Sequence, residues 1–169
     1  MEVKNRIMMP GMSAGMMLDA EARATPEMIA YYVERARTRP GLIAIGSAAV
    51  VPTDGPRRHP LAIDTDACLP TLTALVDAVH VYDTKFGIQL WDGGTQTGGA
   101  IQLSPSGVAA NAQAVFDAAR EAPQTKALTI PEIAEVVGHF AAAAGRCRQA
   151  GLDFVEIHAG HGYLISAFL

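Results

Sequence analysis

The chain has little of what would announce a compartment or a polyanionic partner. It has only two cysteines, Cys68 and Cys147, far apart and without CxxC spacing. That pattern supports neither a zinc knuckle nor a disulfide framework. They read instead as buried thiols of a reducing cytoplasm. No stretch approaches the roughly 18 apolar residues needed to span a bilayer. The opening MEVKNRI interrupts its apolar residues with charge, unlike a secretory segment. Lys and Arg number 13 against 17 Asp and Glu, for a formal net charge of −4. The basic residues form no stripe, so neither nucleic acid nor a membrane surface is an expected partner. The default location is the cytoplasm.

What is present is a core-forming composition, 50% hydrophobic over 169 residues, which suits one domain. Short apolar runs alternate with longer segments of helical period, the pattern of βα units and a parallel sheet. Ile7-Met8-Met9 reads as a first strand, followed by a loop from Pro10 to Gly15 whose small residues let backbone approach a ligand. Thr25-Pro26-Glu27 starts a helix with Ile29, Val33 and Ala36 inward. A second strand spans 41–46 and leads into a loop from Ser47 to about Ala67 that carries Pro52, Pro56, Pro60, Arg57 and Arg58. Leu72, Leu75, Val76 and Val79 mark the next helix, and 85–90 the third strand, which presents Gln89 and Trp91 at its end.

The segment from Asp92 to Leu128 has little periodicity and reads as a surface excursion. Thr129-Ile-Pro-Glu132 fits a capping box. The helix after it carries an apolar stripe through Ile133, Val136, Val137, Phe140, Ala141 and Ala144, and Gly151 stops it. Phe154-Val-Glu-Ile157 then reads as a buried fourth strand that delivers His158, His161 and Tyr163 within six residues. Ser13, Ser47, Gln89, His158 and His161 all fall at the C-terminal ends of strands or just after them. Ligands gather at that end in (β/α)₈ barrels and in doubly wound sheets, so the pattern leaves both folds open.

Five segments in order decide between them. VKNRIMMPGMS, GLIAIGSAAVVP, DAVH, IQLW and the long closing stretch from KALTIPEIAEVV to DFVEIHAGHGYLISAFL resemble the old yellow enzyme family of flavin-dependent ene-reductases and their 2,4-dienoyl-CoA reductase-like relatives. The resemblance covers nearly the whole chain and corresponds to about four βα units, the first half of a TIM (β/α)₈ barrel. One incomplete domain over 1–169, ending after the fourth strand, is therefore expected. One departure stands out: where relatives often continue the third strand as QLWHxGR, this chain has Gln89-Leu-Trp-Asp92-Gly-Gly-Thr95.

The resemblance implies FMN at the barrel mouth, reduced by NADH or NADPH. Pro10, Gly11, Met12, Ser13, Ser47, Gln89 and His158 would contact the cofactor. His158 and His161 would donate to the substrate's oxygen, and Tyr163 would donate a proton. The implied substrate is an activated alkene, an enone or enoyl thioester. Two other readings stay open: a half-barrel acting as an interaction module, and a metal-dependent hydrolase using His158 and His161 with Asp92 or Glu156. An unclosed parallel sheet leaves two edges, so self-association is expected. In barrels of this class the phosphate site commonly follows the seventh and eighth strands. The 169-residue chain alone is thus expected to bind FMN weakly and to self-associate. Titration with FMN alongside measurement of mass in solution checks this, and a stable monomer with stoichiometric, tightly held flavin would refute it.

Overall fold

A computed structural model describes residues 1–13, 17–52, 60–96, 101–108 and 124–169. Four parallel strands form the main sheet: β1 (Met8–Met12), β2 (Leu42–Ala49), β4 (Lys85–Trp91) and β7 (Phe154–Ile157), side by side in chain order. A two-residue strand β3 (Leu61–Ala62) joins β2 beyond this path. Helices α1 (Pro26–Ala36), α2 (Leu69–His80) and α3 (Ile130–Gln149) connect the main strands. A doubly wound sheet reverses its strand order at a switch point. Among the described strands the order does not reverse, which leaves one flank of a (β/α) barrel.

Local chemistry starts and stops these elements. The Thr25 hydroxyl accepts from the Met28 amide at 3.4 Å, and Pro26 occupies the first turn of α1. The capping box of α3 is complete: the Thr129 amide donates to Glu132 Oε2 at 2.9 Å and the Glu132 amide to Thr129 Oγ1 at 3.4 Å. Gly151, at φ 91°, ends it in the left-handed region. The core lies between sheet and helices, where Ile43, Ile45, Phe86, Ile88 and Leu90 meet Met28, Tyr32, Leu72, Leu75, Val76, Val79 and Ala143. Cys68 and Cys147 are buried free thiols within it, and burial with Cys68 nearby pushes the Cys147 thiol up to about 12. No helix among the described residues is long and apolar enough to cross a membrane.

Several boundaries differ from the sequence reading. Ile7 is 65% exposed, and β1 runs on through Pro10, Gly11 and Met12, which therefore belong to a strand rather than a loop. Pro10 is tolerated because β1 is an edge. Likewise β2 continues to Ala49 and takes in Ser47. The buried face of α1 is Met28, Tyr32 and Ala36, with Ile29 flanking, because Tyr32 packs on Phe86 with ring centroids 5.4 Å apart. The stretch from 92 to 128 is no simple excursion: β5 (Ile101–Ser104) and β6 (Gln124–Ala127) pair as a small parallel sheet. Residues 14–16, 53–59, 97–100 and 109–123 of the expected loops lie outside the described residues. Finally, β7 is half exposed rather than buried, with Val155 at 39% and Ile157 at 51%. Among the described residues it pairs only with β4, and on α3 Val137 stays 63% exposed while Ala143 and Cys147 are covered.

At the N-terminal end of the sheet, Asp153 joins β7 to β4. Its carboxylate accepts from the Phe86 amide at 2.9 Å and Lys85 Nζ at 2.8 Å, and Oδ2 lies 2.9 Å from His80 Nε2. Burial raises its pKa, but Lys85, the Phe86 amide and His80 outweigh that and leave it below the ordinary value. A depressed carboxylate pKa stabilises the fold above the unfolded-state value near ~3.9, and the contribution is lost as pH falls through the lower folded-state value. Asp153→Ala should lower unfolding free energy by about 1–3 kcal/mol at pH 7, since it strands the Phe86 amide. The gap from wild type should narrow in urea titrations below about pH 4. A gap independent of pH would show that the charge is not involved.

Candidate active site

The C-terminal end of the sheet is built around glycine. A β-carbon on Gly46 would lie 2.6 Å from Gly11 C, 2.7 Å from Gly11 Cα and 2.9 Å from Met12 N, so β1 and β2 approach there with no space for a side chain. The pairing registers of β2 shift on both sides near this point, between Met9 and Met12 on β1 and between Ile45 and Ala48 toward β4. A β-carbon on Gly11 would meet Gln89 Nε2 at 3.2 Å, so the Gln89 amide lies against the glycine backbone. Buried Tyr32 donates its hydroxyl to the Met12 carbonyl at 3.2 Å and anchors the end of β1 from the helix side. Beyond it, Ser13 and half-buried Ser47 line one small depression with Leu18, Met28, Ile45, Gly46 and Leu61.

The in-register ladder of β4 and β7 sets Gln89 opposite Glu156, and Gln89 Nε2 donates to Glu156 Oε2 at 3.1 Å. Glu156 shares a strand face with His158, two residues on. The His158 amide donates to the Leu90 carbonyl at 2.9 Å, which seats the histidine at the strand end. The Gly160 amide donates to His158 Nδ1 at 3.2 Å, so Nδ1 is the acceptor and the neutral ring carries its proton on Nε2. Burial, then neighbouring His161, lowers the His158 pKa against the opposing pull of Glu156. The ring is therefore a neutral N–H donor at neutral pH.

Three rings converge here. His158 and His161 have centroids 5.0 Å apart, His158 and Tyr163 4.9 Å, and His161 and Tyr163 6.0 Å. Trp91, at the end of β4, packs edge-on against Tyr163 at 5.3 Å. The fold thus gathers the expected residues into two groups, His158 with His161 and Tyr163, and Ser13 with Ser47, linked through Gly11, Gln89 and Glu156. Pro10 and Met12 stand exposed on β1 beside them. The sequence reading missed the Glu156 contact to Gln89, although alternation from Phe154 through Glu156 to His158 placed it on the site's face. It also missed Gln96, discussed below.

Among the described residues no three His, Cys, Asp or Glu side chains converge as metal ligands. Asp92 is buried, with its pKa raised by that burial, and accepts from the Gly94 amide at 2.9 Å, while Glu156 holds Gln89. The two acids proposed as metal ligands are therefore engaged elsewhere.

A sequence model described as the NADH:flavin oxidoreductase / NADH oxidase family matches residues 1–169. The chain belongs to this family. It is 36% identical over 167 residues to an NADPH dehydrogenase of Listeria monocytogenes, covering 99% of this chain and 47% of the relative. It is 34% identical over 171 residues to an NADPH dehydrogenase of Bacillus subtilis, covering 48% of it. The Old Yellow Enzyme of Pichia sp. AKU4542 superposes with a TM-score of 0.87 at 27% identity, over 98% of this chain and 45% of that one. An old yellow enzyme homologue from Zymomonas mobilis gives 0.80, also at 27% identity, over 96% and 46%. This NADH:flavin oxidoreductase family member spans about half the length of the relatives it matches. Its parallel strands and outer helices are part of the same barrel fold.

The glycine contacts of this family member give a direct test. Backbone atoms cannot rotate away from an added methyl, so Gly46→Ala should destabilise by about 1–3 kcal/mol. Gly138→Ala, in α3 with nothing within 4 Å of the added carbon, should instead stabilise by about 0.5–1 kcal/mol. Equal unfolding midpoints for the two variants would contradict the close approach of β1 and β2.

Proposed function

We propose that this chain carries the flavin-facing and alkene-activating groups of an ene-reductase, which uses NADH or NADPH to reduce an activated C=C bond. The observation that carries the reading is the ring cluster at the sheet's C-terminal end, with His158 held as a neutral Nε2–H donor beside His161 and Tyr163. The NADPH dehydrogenases among its relatives support a nicotinamide donor. A nicotinamide-dependent reductase with two buried free thiols suits the reducing cytoplasm.

The residues fit FMN at its ring. Gln89, lying against Gly11, has amide chemistry suited to a pyrimidine edge, and Ser13 and Ser47 offer hydroxyls on one depression that Gly46 also lines. Pro10, Gly11, Met12, Ser13, Ser47, Gln89 and His158 would hold it. When bound, FMN supplies the two-electron chemistry that links the nicotinamide to the alkene.

The chain's own groups do the rest. His158 and His161 donate N–H bonds to the carbonyl oxygen of an enone or enoyl thioester, drawing charge from the double bond and stabilising the enolate-like charge that develops. Tyr163 delivers a proton from its phenol hydroxyl to the substrate carbon. Its edge-on packing against Trp91 and His158 fixes where that proton is offered. The exposed apolar side chains of β1 and β7, both sheet edges, favour self-association of the chain.

In flavin-loaded protein, Tyr163→Phe should leave flavin reduction by the nicotinamide near normal while slowing alkene reduction. His158→Ala and His161→Ala should each weaken binding of a phenolic ligand and slow alkene reduction by about 10- to 1000-fold. Stopped-flow traces of the two half-reactions decide it. Equal slowing of both steps by Tyr163→Phe would remove its role as acid, and unchanged kinetics in both histidine variants would make the pair structural.

A further inference from the structure

The residues between Gly160 and Tyr163 turn sharply, and the Tyr163 amide closes the turn on the Gly160 carbonyl at 3.2 Å. Both central residues have positive φ, His161 at 61° and Gly162 at 74°. A His-Gly pair would suit a type II turn, which asks positive φ only of its second central residue. Here the left-handed backbone falls on His161 as well, a conformation unfavourable to a residue with a β-carbon. Such a conformation persists when its surroundings over-determine it.

Those surroundings come from a segment 65 residues earlier in the chain. Gln96 Nε2 donates to the His161 carbonyl at 2.8 Å. Gly162 leaves room for that amide, since a β-carbon there would stand 3.2 Å from Gln96 Nε2. The short turn carrying Gln96 is itself keyed to the catalytic loop. The Asp92 carboxylate accepts from the Gly94 amide at 2.9 Å, and the Gln96 amide closes on the Gly93 carbonyl at 2.9 Å. The Leu164 amide donates to the Asp92 carbonyl at 3.2 Å. Gly94, at φ 54°, sits so close to buried Leu164 that a β-carbon would come within 3.0 Å of its Cα.

We infer that Gln96 is a positioning residue: its amide holds the His161 carbonyl, keeps the 160–163 turn in its left-handed form, and so aims the His161 ring at His158 and Tyr163. The role of the turn in catalysis rests on the ene-reductase reading, but the geometry does not. Losing the amide lets residue 161 relax toward negative φ, which moves the second donor of the pair away from the first. The departure of the chain from QLWHxGR falls in this turn, where Asp92, Gly93, Gly94 and Thr95 lead into Gln96.

The test uses the isotopically labelled 169-residue chain with neither flavin nor alkene. Gln96→Met keeps most of the side-chain length, stays neutral and removes the N–H, while Gln96→Ala removes the arm entirely. Ring-proton contacts between His158 and His161 should weaken in both variants. The His158 titration midpoint should rise part of the way toward the ordinary histidine value, because burial still lowers it but the neighbouring His161 ring, which lowers it further, has moved away and leaves the opposing pull of Glu156. Merely loosening a distant turn would not move that midpoint. A rise in both variants establishes the positioning role; a midpoint that stays put or falls overturns it. Alkene reduction unchanged by both His158→Ala and His161→Ala in flavin-loaded protein would instead sink the proposed function and leave the Gln96 contact standing.

Discussion

The structure depends on the in-register parallel ladder between β4 and β7, which runs from Gly87 opposite Phe154 to Leu90 opposite Ile157. Gly87 makes it possible, since a β-carbon there would lie 2.4 Å from the Phe154 ring. At one end the ladder begins with Asp153, whose carboxylate takes the Phe86 amide. At the other it finishes by seating the His158 amide on the Leu90 carbonyl. Because side chains alternate with a period of two, a slip of one residue would turn Glu156 and His158 away from Gln89. Register therefore decides which polar groups meet as well as how the strands pack.

The two ends of that ladder use charge differently. Around Asp153, Lys85, the Phe86 amide and His80 together outweigh burial and favour the carboxylate, which strengthens the junction of strands. Around His158, burial and a second histidine act together and favour the neutral ring. This division follows the general asymmetry of (β/α) barrels, in which one end of the sheet serves stability and the other chemistry. At that second end β1 and β2 come into close backbone contact at Gly11 and Gly46, and Tyr32 reaches from the core to the Met12 carbonyl at the end of β1.

What was legible in the sequence was local. The capping box at Thr129 and Glu132, the stop at Gly151 and the stripe of Leu72, Leu75, Val76 and Val79 all appear as read, because each depends on residues within a turn or two. The ends of strands were less legible. Pro10 looked like a loop residue, yet an edge strand needs no donor from it, and whether a strand is an edge is not a local property. The exposed Val155, Ile157 and Val137 failed for the same reason: apolar periodicity marks the face an element can bury, not what lies against it. The small sheet of β5 and β6 was missed because four-residue strands such as Gln124–Ala127 are too short and polar to show alternation.

The sequence by itself determined the alternation of strands and helices, the caps and stops that bound them, and a set of motifs specific enough to point to the flavin oxidoreductase family. It also placed polar groups after each strand. Only the tertiary structure decided that the strands lie in chain order without a reversal, that Gln89 meets Glu156, and that Gln96 reaches the carbonyl of a left-handed His161. The reason is range: a periodicity records how one element divides its faces, whereas a donor's orientation and a ring's desolvation are set by atoms that the fold brings together from more than 60 residues away.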